Sequence, residues 1–275
     1  MFRNCFTPPM QVRAYAKINL GLRVIGKQPD GFHAIDTLFG EIGLYDVLEF
    51  EKREDDQIIV SVEGEEIPVK KNLVWHAAWI LQKFSPRRPG VNIFLQKNIP
   101  IGGGLGGGSS DAAATLKALN KLWGLHFSPD RLSRLAINLG SDIPFFIRGG
   151  IQRGRGRGEI LDSVELPRAF PREVVLVIPP VKIDTKQAYA AAKFPTQNVE
   201  LELGDLRNDF EESVFATHPK LLKIKQTLKR AGSSAAALSG SGSTVYGLFA
   251  TRKEAEAASK RLRKFGEVIL TQLRA

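Results

Sequence analysis

The sequence predicts an α+β protein with antiparallel sheets, built as one large or two modest domains. Three observations predict it. Residues Val12 to Val24 alternate apolar and polar side chains, the period of a half-buried strand. A glycine run stands between a strand pattern and a strongly amphipathic helix pattern. From Val174 onward, strand and helix patterns interleave over a chain of 275 residues in all.

In the first strand Val12, Ala14, Ala16, Ile18, Leu20, Leu22 and Val24 point one way. Arg13, Tyr15, Lys17, Asn19 and Arg23 point the other, onto an open face. Gln28-Pro29-Asp30-Gly31 is a turn signal. Separate strands are expected near Ala34 to Ile42 and Val47 to Glu51, and another over Ile58 to Val62. Asn72 has the chemistry of an N-cap for a helix through Leu81, where Leu73, Ala77 and Ile80 recur at helical spacing. Val91 to Leu95 alternates again. After the glycine run comes a helix with Ala112, Leu116, Leu119 and Trp123 on one face and Gly124 as its stop. A second helix is expected over Pro129 to Leu139, broken by Ser141-Asp142-Ile143-Pro144. Ile151 to Ile160 reads as extended, and Leu166 to Arg172 as a junction between domains. The second half then reads strand (Val174–Ile178), helix (Lys186–Lys193), helix (near Leu206–Phe215) and helix (Pro219–Ala231). It continues as loop (Ser239–Ser243), strand (Thr244–Phe249), helix (Lys253–Phe265) and strand (Val268–Thr271).

Composition excludes several classes. Hydrophobic residues at 43% and charged residues at 25% are ordinary for a globular protein, so global disorder is not expected. The single cysteine, Cys5, rules out an intrachain disulfide and a multi-cysteine metal cluster. His33, His76, His126 and His218 are scattered without ligand spacing. A net charge of +10 favours an anionic partner: a nucleic acid, an anionic membrane or a phosphorylated small molecule. No apolar stretch approaches the roughly 18 residues a spanning helix needs, and Met1 to Met10 lacks an apolar signal core. The expectation is a soluble, cytoplasmic protein.

The stretch Pro100 to Asp111 reads PIGGGLGGGSSD, and six of the seven residues from Gly102 to Gly108 are glycine. Glycine loses much backbone entropy on folding and packs little, so such a run needs a compensating use. One is close approach of backbone N–H groups to phosphate, with a helix N-terminus behind them. Ser109 and Ser110 can donate to phosphate, bind Mg2+ or cap the helix. Walker A fails, because Ser-Ser stands where Lys-Ser/Thr is required. The dinucleotide fingerprint and the protein-kinase loop match only formally.

PIGGGLGGGSSDAA is similar to the second motif of the GHMP small-molecule kinases. AYAKINLGL at Ala14 to Leu22 resembles their first motif, and LSGSGSTVYGLF at Leu238 to Phe249 their third. Asp30-Gly31-Phe32-His33 and GSDIPFFIRGG at Gly140 to Gly150 narrow the resemblance to members acting on a cytidyl diphosphate sugar alcohol in non-mevalonate isoprenoid synthesis. It covers roughly Ala14 to Phe249. It implies the two-domain GHMP fold, with a ribosomal-protein-S5-domain-2-like α/β domain over 1–168 and a ferredoxin-like α+β domain over 169–275. It also implies ATP and Mg2+ as cofactors, a small-molecule substrate, no nucleic acid or membrane partner, and a monomer or homodimer.

The resemblance implies roles residue by residue. Asp142 is the catalytic carboxylate that takes or orients the hydroxyl proton. Lys17 is the cation beside it. Asn72 contacts the adenine side. Pro100, Ile101, Gly102, Gly103, Gly104, Leu105, Gly106, Gly107, Gly108, Ser109 and Ser110 hold ATP, with Ser109 also a magnesium ligand. Asn19 contacts the acceptor, about 7 Å along the strand from Lys17. His33 reads the cytosine edge, and Phe32 and Tyr189 stack on the base. Gly240, Ser241 and Gly242 close over the phosphates. Each has a plainer reading: polar alternation for Lys17 and Asn19, a cap for Asp142 and Asn72, core for Tyr189, a turn for the second glycine loop. Phe32 stands where the family is expected to carry tyrosine, and Ser141 where alanine is expected. Arg153, Arg155 and Arg157 are expected to share a solvated basic face that attracts the substrate's diphosphate. A GHMP kinase for another alcohol, such as mevalonate or homoserine, and a basic nucleic-acid binder remain the alternatives.

Overall fold

The structure is a computed structural model that describes residues 9–29, 31–64, 68, 72–192, 201 and 206–274. Asp30, Lys193 and Cys5, which enter the readings above, lie outside the described residues. The chain forms two compact units, neither continuous in sequence. One comprises the described part of Met1–Tyr15 with Tyr45–Ile99 and Gly107–Ile147. The other comprises Ala16–Leu44, Pro100–Gly106 and the described part of Arg148–Ala275. Two long strands, β1 (Met10–Lys27) and β2 (His33–Arg53), pair with each other and supply residues to both units.

In the first unit, Val47–Arg53 of β2 pairs antiparallel with β4 (Gly90–Gln96), which pairs parallel with β3 (Ile58–Val62). Helices α1 (Leu73–Gln82), α2 (Gly107–Leu122), α3 (Pro129–Ala136) and α4 (Ile143–Arg148) complete it. α1 lies against α2, and the small residues Ala77, Ala78, Ala112 and Ala113 are fully buried, which lets the two backbones come close. Asn72 caps α1 through its side-chain oxygen, which accepts from Val74 N at 3.0 Å. Gly124, at φ +63, ends the run after α2 in the left-handed region open to glycine.

In the second unit, β7 (Glu173–Ile178), β8 (Ala235–Leu238), β9 (Val245–Phe249) and β10 (Glu267–Arg274) form an antiparallel sheet in the order β10-β7-β9-β8. Counted in chain order this is 4-1-3-2, the ferredoxin-like arrangement that the resemblance implied. α5 (Thr185–Ala191), α6 (Glu211–Thr217), α7 (Pro219–Arg230) and α8 (Arg252–Leu262) belong to the same unit. Leu221, Ile224 and Leu228 on α7 and Ala255, Ala258 and Leu262 on α8 bury against Val175, Val177 and Phe249. Each large apolar side chain so buried contributes about 1.5–3 kcal/mol. A hairpin of β5 (Ile151–Arg155) and β6 (Ile160–Ser163) pairs with β2 through β5. No described helix is long and apolar enough to cross a membrane.

The structure differs from these expectations at several points. β2 is one strand, not two. Gly40 and Gly43 serve close approach: a Cβ on Gly40 would meet Leu273 at 2.9 Å, and one on Gly43 would meet the Thr271 hydroxyl at 3.0 Å. The open face of β1 is closed, since Lys17, Asn19 and Arg23 are as buried as their apolar neighbours. Ile151 to Ile160 is a hairpin rather than one extended run, because Gly156 and Gly158 adopt positive φ and reverse the chain. The three arginines are therefore not equivalent charges on one solvated face. Arg153 donates twice to Asp36, Arg155 pairs with Asp162, and Arg157 stands in the turn. The sequence pattern assigns nothing to Ala235–Leu238, and the register of this alanine run against β9 makes it the strand β8. Finally, Ile143-Pro144 opens the short helix α4, where proline is tolerated in the first turn.

Candidate active site

β1 alternation puts Lys17 and Asn19 on one face, 4% and 1% exposed. A buried ammonium needs acceptors. Lys17 Nζ donates to Asn19 Oδ1 at 2.5 Å, and Asn19 Nδ2 donates to Thr37 Oγ1 at 2.8 Å. Thr37 in turn donates to the Gly21 carbonyl at 2.7 Å. The buried Tyr246 hydroxyl, from β9, donates to the Asn19 carbonyl at 2.9 Å. Both ends of the Asn19 side chain are thus engaged in orienting Lys17. Gly240, at φ +56, sits over this pair: a Cβ there would be 3.5 Å from both Lys17 Nζ and Asn19 Oδ1.

The first part of the glycine run, residues 100–106, belongs to the same unit. Leu105 O accepts from Lys17 N at 3.0 Å, and Gly103 O from Thr244 N at 3.2 Å. Ser239 Oγ donates to Gly104 O at 2.9 Å. The two glycine loops are therefore laced together. Gly104, at φ +77, leaves no room for a side chain, since a Cβ would lie 2.1 Å from Ser239 O. A Cβ on Gly102, at φ +74, would meet nothing within 4 Å, and Pro100 and Ile101 lead into it, the latter 61% exposed. Gly106 is also at positive φ.

Two residues holding the second loop were missed by the sequence reading. Asn208 Nδ2 donates to Leu238 O and to Gly240 O, both at 2.8 Å, while its Oδ1 accepts from Phe210 N. Thr185 Oγ1 lies 2.9 Å from Ser241 Oγ. Asn208-Asp209 ahead of a helix was the available signal, being a pair that bonds local backbone. Gly242, at φ +91, closes the loop, with Gly242 N donating to Ser239 O at 2.9 Å.

The aromatic residues gather in this unit too. The His33 and Tyr189 rings stack at 4.8 Å and 20°. Tyr189 meets the buried Phe210 edge-on at 4.7 Å and 85°, which fixes the tyrosine plane. Phe32 is 52% exposed, and the Arg157 guanidinium carbon lies 4.0 Å from its ring centroid.

In the first unit, Gly107, Gly108, Ser109 and Ser110 are not loop. They form the first turn of α2, with its unpaired N–H groups. Ser110 Oγ donates to Tyr15 O at 2.6 Å and is buried, whereas Ser109 is half-buried. Beneath that turn Lys97 Nζ bridges Asp46 at 2.5 Å and Asp111 at 2.8 Å. Asp46 also accepts from Asn98 N and Ile99 N, fixing the chain just ahead of the glycine run. Burial pushes the Asp111 carboxyl up to about 7, with Lys97 pulling it down and Asp46 pushing it further up. Asp142 is half-buried on a turn closed by Ile143 N donating to Gly140 O at 3.2 Å. Behind it α4 buries Ile143, Phe145, Phe146 and Ile147, and Lys117 of α2 donates to Phe146 O at 2.9 Å. Among the described residues no three His, Cys, Asp or Glu side chains form a metal-binding group.

The chain is similar to known proteins in sequence and in fold. The family described as GHMP kinases N terminal domain matches residues 72–150, and that described as GHMP kinases C terminal matches residues 197–268. The 4-diphosphocytidyl-2-C-methyl-D-erythritol kinase of Pelodictyon phaeoclathratiforme is 41% identical, over 92% of this chain and 93% of its own. That of Prosthecochloris aestuarii is 40% identical over 92% and 93%. A crystal structure of 4-(cytidine 5'-diphospho)-2C-methyl-D-erythritol kinase superposes with a TM-score of 0.83 at 33% identity, over 97% of this chain and all of that one. Homoserine kinase from Cytophaga hutchinsonii, at 18% identity and a TM-score of 0.76 over 99% and 97% of the two chains, shares the fold.

Proposed function

The chain belongs to the GHMP kinases, and on that premise we propose that it phosphorylates the 2-hydroxyl of 4-diphosphocytidyl-2-C-methyl-D-erythritol with ATP. It is an ATP-dependent small-molecule kinase with an alcohol as acceptor. The observation that carries the acceptor reading is the His33–Tyr189 stack, with Phe32 next in the chain. A base hydrogen-bonded to the edge of His33 extends the imidazole plane. Tyr189, nearly parallel to that plane, then overlaps the pair. An acceptor without a base has no use for these rings.

Phosphoryl transfer is mostly positioning and charge stabilisation. Asp142 takes the proton of the acceptor hydroxyl as its oxygen bonds the γ-phosphorus and the bond to the departing ADP breaks. The turn closed by Ile143 N on Gly140 O carries the carboxylate. Lys17 supplies positive charge to the hydroxyl and the transferring group. Asn19 acts mainly through Lys17, because the structure engages its amide there. The glycine loops fit a polyphosphate: Gly102 is open, and the backbone at Gly104 comes where no side chain could. Gly240, Ser241 and Gly242 cover it, and the first turn of α2 adds N–H groups. Mg2+ neutralises phosphate charge when bound, and Ser109 is the residue that would hold it. Asn72, its oxygen engaged in the α1 cap, would meet adenine through its amide nitrogen.

We place the division between the two family domains at Arg168–Ala169, between the matched regions 72–150 and 197–268. The reaction belongs to the cytoplasmic, non-mevalonate route to isoprenoid precursors. The test is ADP release with Mg-ATP against the cytidyl acceptor, mevalonate, homoserine and no acceptor. Turnover with the cytidyl acceptor alone is expected. Turnover with mevalonate or homoserine instead would remove the base-binding roles of His33 and Tyr189.

A further inference from the structure

The arginines of the RGRGRG run have three different surroundings. Arg153 Nε and Nη2 reach Asp36 at 2.8 and 2.6 Å, and Arg155 pairs with Asp162 across the hairpin. Both anchor strands. Arg157 stands at the tip, and the tip is built to aim it. Gly156 at φ +71 and Gly158 at φ +108 make the reversal, and Gly158 N donates to Arg155 O at 3.0 Å. Glu159 Oε2 accepts from Arg157 N at 2.5 Å. Gly156 O accepts from Ile35 N at 2.7 Å, which ties the tip to β2 two residues after His33. The Gly158 Cα faces Ile35 and Phe39 at ordinary contact distance, 3.4 Å from where a Cβ would stand. The outcome is a guanidinium 4.0 Å from the centroid of Phe32.

We propose that Arg157 is a positioning residue for the nucleotide end of the acceptor: its guanidinium holds one face of Phe32, so that the other face stacks on the pyrimidine. The inference rests on the proposed acceptor. Phe32 follows Gly31, at φ +86, and half its surface meets solvent. A cation laid on the ring face is attracted by the aromatic quadrupole. It orders the ring before the base arrives and spares that ordering cost at binding. Tyr189 needs no such aid, because the buried Phe210 already fixes it.

The test is steady-state kinetics of Arg157→Ala, Arg157→Lys, Phe32→Leu and the Arg157→Ala/Phe32→Leu double variant. Wild-type turnover of the cytidyl acceptor is measured first, and its absence overturns the proposed function rather than this inference alone. Given that turnover, Arg157→Ala should raise the acceptor KM by about twofold to about tenfold, the cost of ordering one side chain at binding. kcat and the ATP KM should stay within about twofold, and Arg157→Lys should recover part of the loss. In the Phe32→Leu background, removing Arg157 should have little further effect. An acceptor KM that is unchanged or lower in Arg157→Ala overturns the inference. So does a loss that persists in full without Phe32, which would mean simple charge attraction to the diphosphate.

Discussion

Lys17 and Asn19, two residues apart on β1, are joined by a hydrogen bond from the buried ammonium to the amide oxygen at 2.5 Å. Asn19 is held in turn by Thr37, whose hydroxyl is anchored on Gly21 O. The chain of bonds runs from backbone to the tip of Lys17, so the position of the charge is set by β1 and β2 together. Replacing Asn19 by Leu leaves the ammonium without that acceptor, at a cost of about 1–3 kcal/mol. Asn19→Leu should lower kcat by roughly 5- to 150-fold and lower Tm. Thr37→Val, which frees Asn19 to rotate, should lower kcat less and in the same direction. A variant with wild-type kcat would show that Lys17 needs no such support.

Asp142→Asn keeps the size of the side chain and removes its basicity. Loss of a general base typically costs 10²–10⁴-fold in rate. kcat should fall by about that factor, while the Kd for ATP, read by calorimetry, stays within about twofold. Turnover within about tenfold of wild type would end the proton-acceptor role.

Gly104 and Gly102 carry the same backbone sign for different reasons. Both lie near φ +75, where a Cβ costs about 1–2 kcal/mol. At Gly104 a Cβ would also overlap Ser239 O at 2.1 Å, so the glycine loops must separate. Gly104→Ala should raise the ATP KM by more than about tenfold and lower Tm. Gly102→Ala adds strain without a clash. Its Tm loss should therefore be clearly the smaller, which differential scanning fluorimetry of the pair checks directly.

Asp111 makes stability depend on pH. Unfolded, its carboxyl titrates near about 4. Folded, burial raises it to about 7, and Asp46 adds to that rise against the opposing pull of Lys97. Between those values the native state keeps a proton that the unfolded chain has released. This contribution to stability therefore falls as pH rises from about 4 to about 7, then levels. Asp111→Asn keeps an acceptor for Lys97 and leaves Asp46 as the counter-charge. The variant should melt above wild type at pH 8, with the gap shrinking toward pH 5. A gap independent of pH would mean Asp111 stays ionised throughout.

Much of this was legible in the residues. Local propensity and periodicity placed β1, β3, β4, α1, α2 and the final strands, because each buries its apolar residues at a fixed spacing. The glycine run announced a close approach by its composition. What misled was local too. Gly40 and Gly43 look like interruptions of a strand, yet they admit Leu273 and Thr271, over 200 residues away. Arg153 looks like a solvated charge until Asp36 is placed against it.

By itself the sequence determined the chemical groups at hand, the elements that carry most of them, and, through the order of its motifs, the family. Those depend on neighbours within a few residues. Only the tertiary structure decided what each group does. It showed that Asn19 orients Lys17, that Asn208 and Thr185 hold the second glycine loop, that Ser110 is tied to Tyr15, and that the three arginines part company. Hydrogen bonds and ring contacts act over about 3–6 Å, and the partners concerned lie from two to over a hundred residues apart in the chain.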